Sequence, residues 1–148
     1  MNVADQEVLI EFIDRYGSPS RPRIFGNPSH CDECSEANDL LMDRTPDDLD
    51  PEELAEPSTA WFFSWMGDDG WRYFLPGFVR VALSSPTENF SILLDQLRAE
   101  YVSTLSDRQR EALHEVLDYS RVCGYASNNQ DRQLLKGSLE LTRTEPQR

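Results

Sequence analysis

Apolar side chains recur at helical spacing along most of the chain. Val8, Leu9, Phe12, Ile13 and Tyr16 form one stripe, which predicts an amphipathic helix over 3–16 that Gly17 ends. Three prolines and one glycine between Ser18 and Ser29 predict a loop. A second, short helix is expected to begin at His30 or Ser35, with Ala37, Leu40 and Leu41 on its inner face. Thr45-Pro46-Asp47-Asp48 and Asp50-Pro51-Glu52-Glu53 then give two helix starts in succession. Each has a cap residue, a proline at the first helical position and carboxylates facing the positive end of the helix dipole.

The period changes to two between Ser58 and Trp65, where Trp61, Phe63 and Trp65 alternate. Met66-Gly67-Asp68-Asp69-Gly70 reads as a turn, and Trp71 to Leu75 resumes an aromatic, extended pattern. These segments together predict a β-hairpin that must pack against helices, because two strands alone are marginally stable. Helical spacing returns after Pro76 with Phe78, Val79, Ala82 and Leu83, until Ser84-Ser85-Pro86 stops it. Phe90, Leu93, Leu94, Leu97, Tyr101 and Val102 predict one helix over 88–105. Ser106-Asp107-Arg108-Gln109 is a capping box opening a helix that runs to Cys123, with Gly124 as its stop. A last short helix over 128–141 completes the prediction. The expected fold class is α+β, mostly α, with five to six helices around one small aromatic hairpin. It forms a single globular domain over 1–141, with a frayed tail over 142–148.

Composition narrows the functional classes. A chain of 148 residues with 15 aromatics can bury a core of its own. No stretch approaches the roughly 20 apolar residues of a membrane span, and the N-terminus lacks a signal-peptide pattern, so the cytoplasm is expected. Three cysteines do not make a secreted disulfide framework. Of the net charge of −13, almost all lies between Asp32 and Asp69. That segment holds 13 acidic side chains and one basic one, Arg44, a balance of −12. Such a field repels nucleic acid and anionic membranes and speeds encounter with a basic protein; as a solvated face it also keeps the chain soluble.

His30-Cys31-Asp32-Glu33-Cys34 concentrates the candidate chemistry. Cys-x-x-Cys spacing supplies half of a structural zinc site, and His30 and Cys123 are the further ligands to consider, with His114 less obviously oriented. Two thiols with no metal are the simpler reading. A redox pair is disfavoured because Asp32 and Glu33 raise thiol pKa values and no βαβ unit surrounds the motif. A cysteine–histidine nucleophile is disfavoured because adjacent side chains on a helix do not face each other. No phosphate-binding loop or Ser-His-Asp signature is present, so a catalytic residue is not expected.

His30-Cys31-Asp32-Glu33-Cys34, the acidic segment after it, and Tyr73-Phe74-Leu75-Pro76 ahead of Phe78 and Ala82-Leu83 carry a resemblance. The stretch from Phe25 to Leu83 resembles a loosely defined group of small bacterial proteins of unknown function that share an HCxEC…YFLP pattern. The resemblance implies no particular activity. Because the cysteines are not universal in that group, it implies that any metal is dispensable. The single lysine against 13 arginines fits a GC-rich bacterial genome.

The leading expectation is a non-enzymatic protein-binding module, most concretely an immunity or inhibitor protein that neutralises a basic toxin or nuclease. Asp47, Asp48, Asp50, Glu52, Glu53 and Glu56 would steer the partner. Trp61, Trp65 and Trp71, with Arg72 among them, would anchor it. The alternative is a small zinc-stabilised domain using Cys31 and Cys34.

Overall fold

The computed structural model describes residues 1–143. Among them every regular element is helical: nine α-helices and two 3-10 turns, with no strand. The helices are α1 (Val3–Tyr16), α2 (Asp32–Met42), α3 (Pro51–Ala55), α4 (Pro57–Ala60) and α5 (Gly67–Ser84), then α6 (Pro86–Gln96), α7 (Ala99–Val102), α8 (Asp107–Val122) and α9 (Asn129–Thr142). The 3-10 turns are Pro46–Asp48 and Trp61–Trp65. The chain divides into two compact units, Met1–Gly17 with Val79–Arg148 and Ser18–Phe78.

The expected β-hairpin is therefore absent, and the α+β class is corrected to all-α. Trp61 to Trp65 is a 3-10 turn, in which the consecutive side chains of Phe62 and Phe63 are both buried, their rings stacked 4.5 Å apart. A strand would send them to opposite faces. Trp71 to Leu75 belongs to α5. Trp71, Phe74, Leu75, Phe78, Val79, Ala82 and Leu83 have the i, i+3, i+4, i+7, i+8 spacing of one helix face, and all are fully buried. That stripe runs straight through Pro76. A proline inside a helix cannot donate to the carbonyl four residues earlier, yet the burial of large aromatics on both sides outweighs that cost.

Glycines that resembled turn signals make room for close packing in the second unit. A side chain at Gly70 would meet the Phe25 ring at 2.7 Å, and one at Gly77 would meet the carbonyl oxygen of Pro46 at 2.5 Å. Gly26 and Gly67 both have positive φ, at 62° and 73°, and their backbones lie against each other. The Gly26 N–H donates to the carbonyl of Met66 at 3.0 Å. This corner fixes the loop over 18–29. Phe25, fully buried, lies 5.5 Å from the Phe74 ring. Its N–H donates to Asn38 Oδ1 at 2.7 Å, tying the loop to α2. Arg21 caps the other end of α2, donating to the carbonyls of Leu41, Met42 and Arg44. The Trp61–Trp65 turn packs on α2.

In the first unit α1 packs on α8, α8 on α9, and α6 and α7 on α9. Phe12 and Tyr16 are the buried members of the α1 stripe, stacked at 5.1 Å, while Ile13 remains exposed. Asp5, in the first turn of α1, is also buried; its Oδ1 accepts from the hydroxyls of Tyr119 and Tyr125, each at 2.6 Å. The capping box that opens α8 is formed in both directions, Gln109 N–H to Ser106 Oγ and Ser106 N–H to Gln109 Oε1, each at 3.1 Å. The helix expected over 88–105 is two helices, broken at Leu97–Arg98, and nothing in the local sequence explains the break. Thr142, expected to begin a frayed tail, is buried at the end of α9; the rest of that tail from 144 lies outside the described residues.

Candidate metal centre

The pentapeptide His30–Cys34 forms the junction between the fixed loop and α2. Cys31 is the N-cap of α2, and its extended backbone lets Sγ accept the Cys34 N–H at 3.2 Å. Sulfur therefore takes the place of the oxygen that usually caps a helix. Cys34, in the first turn, is buried; Cys31 is half-buried and His30 exposed. The two sulfurs are 2.9 Å apart, and His30 Nδ1 is 3.6 Å from Cys34 Sγ. The ligand atoms of all three residues lie within 4.8 Å of one another.

These distances can be compared with a tetrahedral zinc ion, for which bonds of about 2.3 Å to sulfur and 2.0–2.1 Å to nitrogen place two ligand atoms roughly 3.6–3.8 Å apart. The His30–Cys34 distance already fits. The sulfurs must open by slightly under about 1 Å. The three residues have the donor types that zinc prefers, and they leave one of its four positions to another ligand.

The two thiols are driven apart in pKa. The hydrogen bond between the two sulfurs lowers Cys31, assisted by His30 and by the Cys34 N–H. The same bond raises Cys34, and desolvation adds to it. Of the two thiols, Cys31 is thus the one that loses its proton more readily. The expectation that the intervening acids oppose thiolate formation holds only for Cys34, which Glu33 pushes further up. At Cys31 the hydrogen bonds and the helix N-terminus decide.

The remaining ligand candidates lie elsewhere. Cys123 is exposed at the C-cap of α8 in the first unit, whereas the three-residue group belongs to the second. His114, also in the first unit, has Nδ1 2.9 Å from Thr142 Oγ1 and links α8 to the end of α9.

Several of the steering acids have local structural roles. Asp48 accepts the Thr45 N–H and Asp50 the Glu52 N–H, each at 2.9 Å. Glu53 holds Arg44 through two bonds of 3.1 Å, with the guanidinium 5.5 Å from the Phe62 ring centre. Asp47, Glu52 and Glu56 are exposed. Among the intended anchors, Trp65 is 38% exposed and Trp61 half-buried, but Trp71 has no exposed surface and serves the core. Arg72 is ion-paired with Asp69. Asn38 and Arg21, which tie the 18–29 loop to α2, have no marker in the sequence that sets them apart from ordinary polar positions.

No family model matches the chain, and neither do any curated protein or solved structure. Among the described residues no helix is long and apolar enough to cross a membrane.

Proposed function

We propose that the second unit is a zinc-binding module, with His30 Nδ1, Cys31 Sγ and Cys34 Sγ as ligands. The observation that carries this reading is the convergence of three zinc-type donors within 4.8 Å on a segment anchored at both ends. Zinc must displace a proton from each thiol it binds. The lowered Cys31 thiol gives up its proton more easily than the raised Cys34 thiol, and affinity falls as pH falls. His30 is exposed and Cys31 half-buried, so water or an incoming donor can complete the four ligands. Elemental analysis of protein purified without chelator should find about one zinc per chain, by the ligand arithmetic above. Cys34→Ser should lose it and His30→Ala should bind it more weakly. Full retention of zinc by Cys34→Ser would overturn this assignment.

A second reading is favoured by a separate observation: the −12 segment lies wholly within the unit whose surface exposes Trp65. On this reading the unit binds a basic protein, as an immunity or inhibitor protein binds a cationic toxin. Asp47, Asp48, Asp50, Glu52, Glu53 and Glu56 steer it, and Trp65 with Trp61 anchors it; Trp71 has no part. Affinity for such a partner should fall steeply between low and moderate salt, chiefly through the on-rate. A salt-insensitive complex would count against steering by this face.

A further inference from the structure

The first unit carries a cavity whose charge is opposite to that of the chain as a whole. It lies between the end of α8 and the exposed side of α9, with a volume of about 390 Å³. That is within the range of about 300–1,000 Å³ typical of small-molecule sites. Arg132, Leu135, Lys136 and Leu139 line it from one face of α9, at the i, i+3, i+4, i+7 spacing. Ala126 and Leu135, both buried, form its floor with the half-buried Leu139. The rim holds Arg121, Arg132 and Lys136; Asp118 pairs with Arg121, and among the described residues no carboxylate lines the cavity itself. In a chain of 27 acids and 14 bases, Arg132 and Lys136 beside an aliphatic floor, with Arg121 already paired to Asp118, are a local excess of positive charge.

The hydrogen bonds around the cavity narrow the ligand class. Arg121 donates through Nε and an Nη atom to Asp118, at 3.1 and 2.8 Å. Arg132 donates to the carbonyls of Ala126 and Ser127 and to Asn129 Oδ1, at 3.3, 3.0 and 3.0 Å. Both guanidinium forks are thus committed, and neither offers the bidentate grip that a phosphate dianion favours. Lys136, the only lysine in the chain, is exposed and supplies a compact point charge. Among the described residues no aromatic ring lines the cavity, so they offer no stacking surface for a base or an aryl group.

We propose that this cavity binds a small aliphatic monocarboxylate. The alkyl chain lies along Ala126, Leu135 and Leu139, and the carboxylate is held by Lys136, with Arg132 adding positive field. The site belongs to the first unit and is independent of the zinc reading.

Octanoate is the probe, titrated into the full chain and followed by amide NMR, with inorganic phosphate and 1-octanol as controls. Saturable shifts at Gly124, Ala126, Leu135 and Lys136 are expected with octanoate. Both controls should bind about tenfold more weakly or worse, since each lacks one half of the recognition. Lys136→Gln, at an exposed position that should not disturb folding, should raise the octanoate Kd several-fold, and Lys136→Arg should restore most of it. Leu139→Asp should abolish binding. The proposal is overturned if octanoate produces no shifts there, if octanol or phosphate reproduces them at the same concentration, or if Lys136→Gln binds octanoate unchanged.

Discussion

The buried carboxylate of Asp5 is the contact on which the helix packing of the first unit can be tested most sharply. Only 2% of Asp5 is exposed, and one of its oxygens accepts two phenol hydroxyls at 2.6 Å, from Tyr119 on α8 and Tyr125 beyond it. Hydrogen bonds to a charged group contribute about 1.5–3 kcal/mol each. Tyr119→Phe removes one donor and leaves the other, so a loss of about 2 kcal/mol is expected, or about 4–8 °C in Tm for a chain of this size. Asp5→Ala strands both hydroxyls and should cost about 2–4 kcal/mol, softened by roughly 0.5 kcal/mol from the better helix propensity of alanine. In a double-mutant cycle read by urea denaturation, Asp5→Ala and Tyr119→Phe should couple by about 1.5–2 kcal/mol. A coupling near zero, with Tyr119→Phe neutral, would show that the carboxylate contributes no specific bond and would refute the reasoning.

Other consequences follow from the same geometry. Burial, then the Asp5 bond, raises the Tyr125 hydroxyl from its ordinary 10.0 to about 12, and Tyr119 is raised as well. A group whose folded pKa is raised stabilises fully below its unfolded pKa and loses that contribution as pH rises through the folded one. Stability should therefore decline between pH 10 and about 12 by alkaline denaturation, and less steeply in Tyr125→Phe. Gly77→Ala, which in an ordinary helix gains up to about 1 kcal/mol, should instead destabilise by about 1–3 kcal/mol. The added methyl would stand 2.5 Å from the Pro46 carbonyl oxygen, and a gain on chemical denaturation would contradict that packing. Iodoacetamide should alkylate metal-free protein at Cys31 ahead of Cys34, with a pH profile shifted below that of an ordinary thiol. Peptide mapping that finds Cys34 modified first would reverse the assignment of the thiolate.

The helix ends were the most legible part of the fold. Ser106 and Gln109 announce α8 because a capping box is a local device, satisfied by residues three apart. Gly17, with φ of 84°, likewise ends α1 where its spacing indicated. The error over 58–75 came from reading Gly67, Gly70 and Pro76 as breaks. Gly67 is a left-handed residue at a corner, Gly70 clears space for Phe25, and Pro76 is tolerated because its neighbours on the stripe are buried. Each of these reasons is tertiary, so local propensity did not reveal it. The clustering of His30, Cys31 and Cys34 was legible for the opposite reason: the three residues fall within five positions, and a single helix start brings them together. Cys123 belongs to the first unit, so a role for it depends on long-range packing that no local pattern encodes. The Asp5 clasp links residues more than a hundred positions apart, and nothing in the local sequence sets either tyrosine apart.

X-ray absorption at the zinc edge tests the central claim most directly. Protein loaded with one equivalent of zinc should show two sulfur ligands at about 2.3 Å and an imidazole nitrogen at about 2.0 Å, with a light atom completing four. Cys34→Ser should lose at least one sulfur from that shell. A first shell made only of oxygen and nitrogen, or zinc removed by simple gel filtration, would contradict a centre built from His30, Cys31 and Cys34.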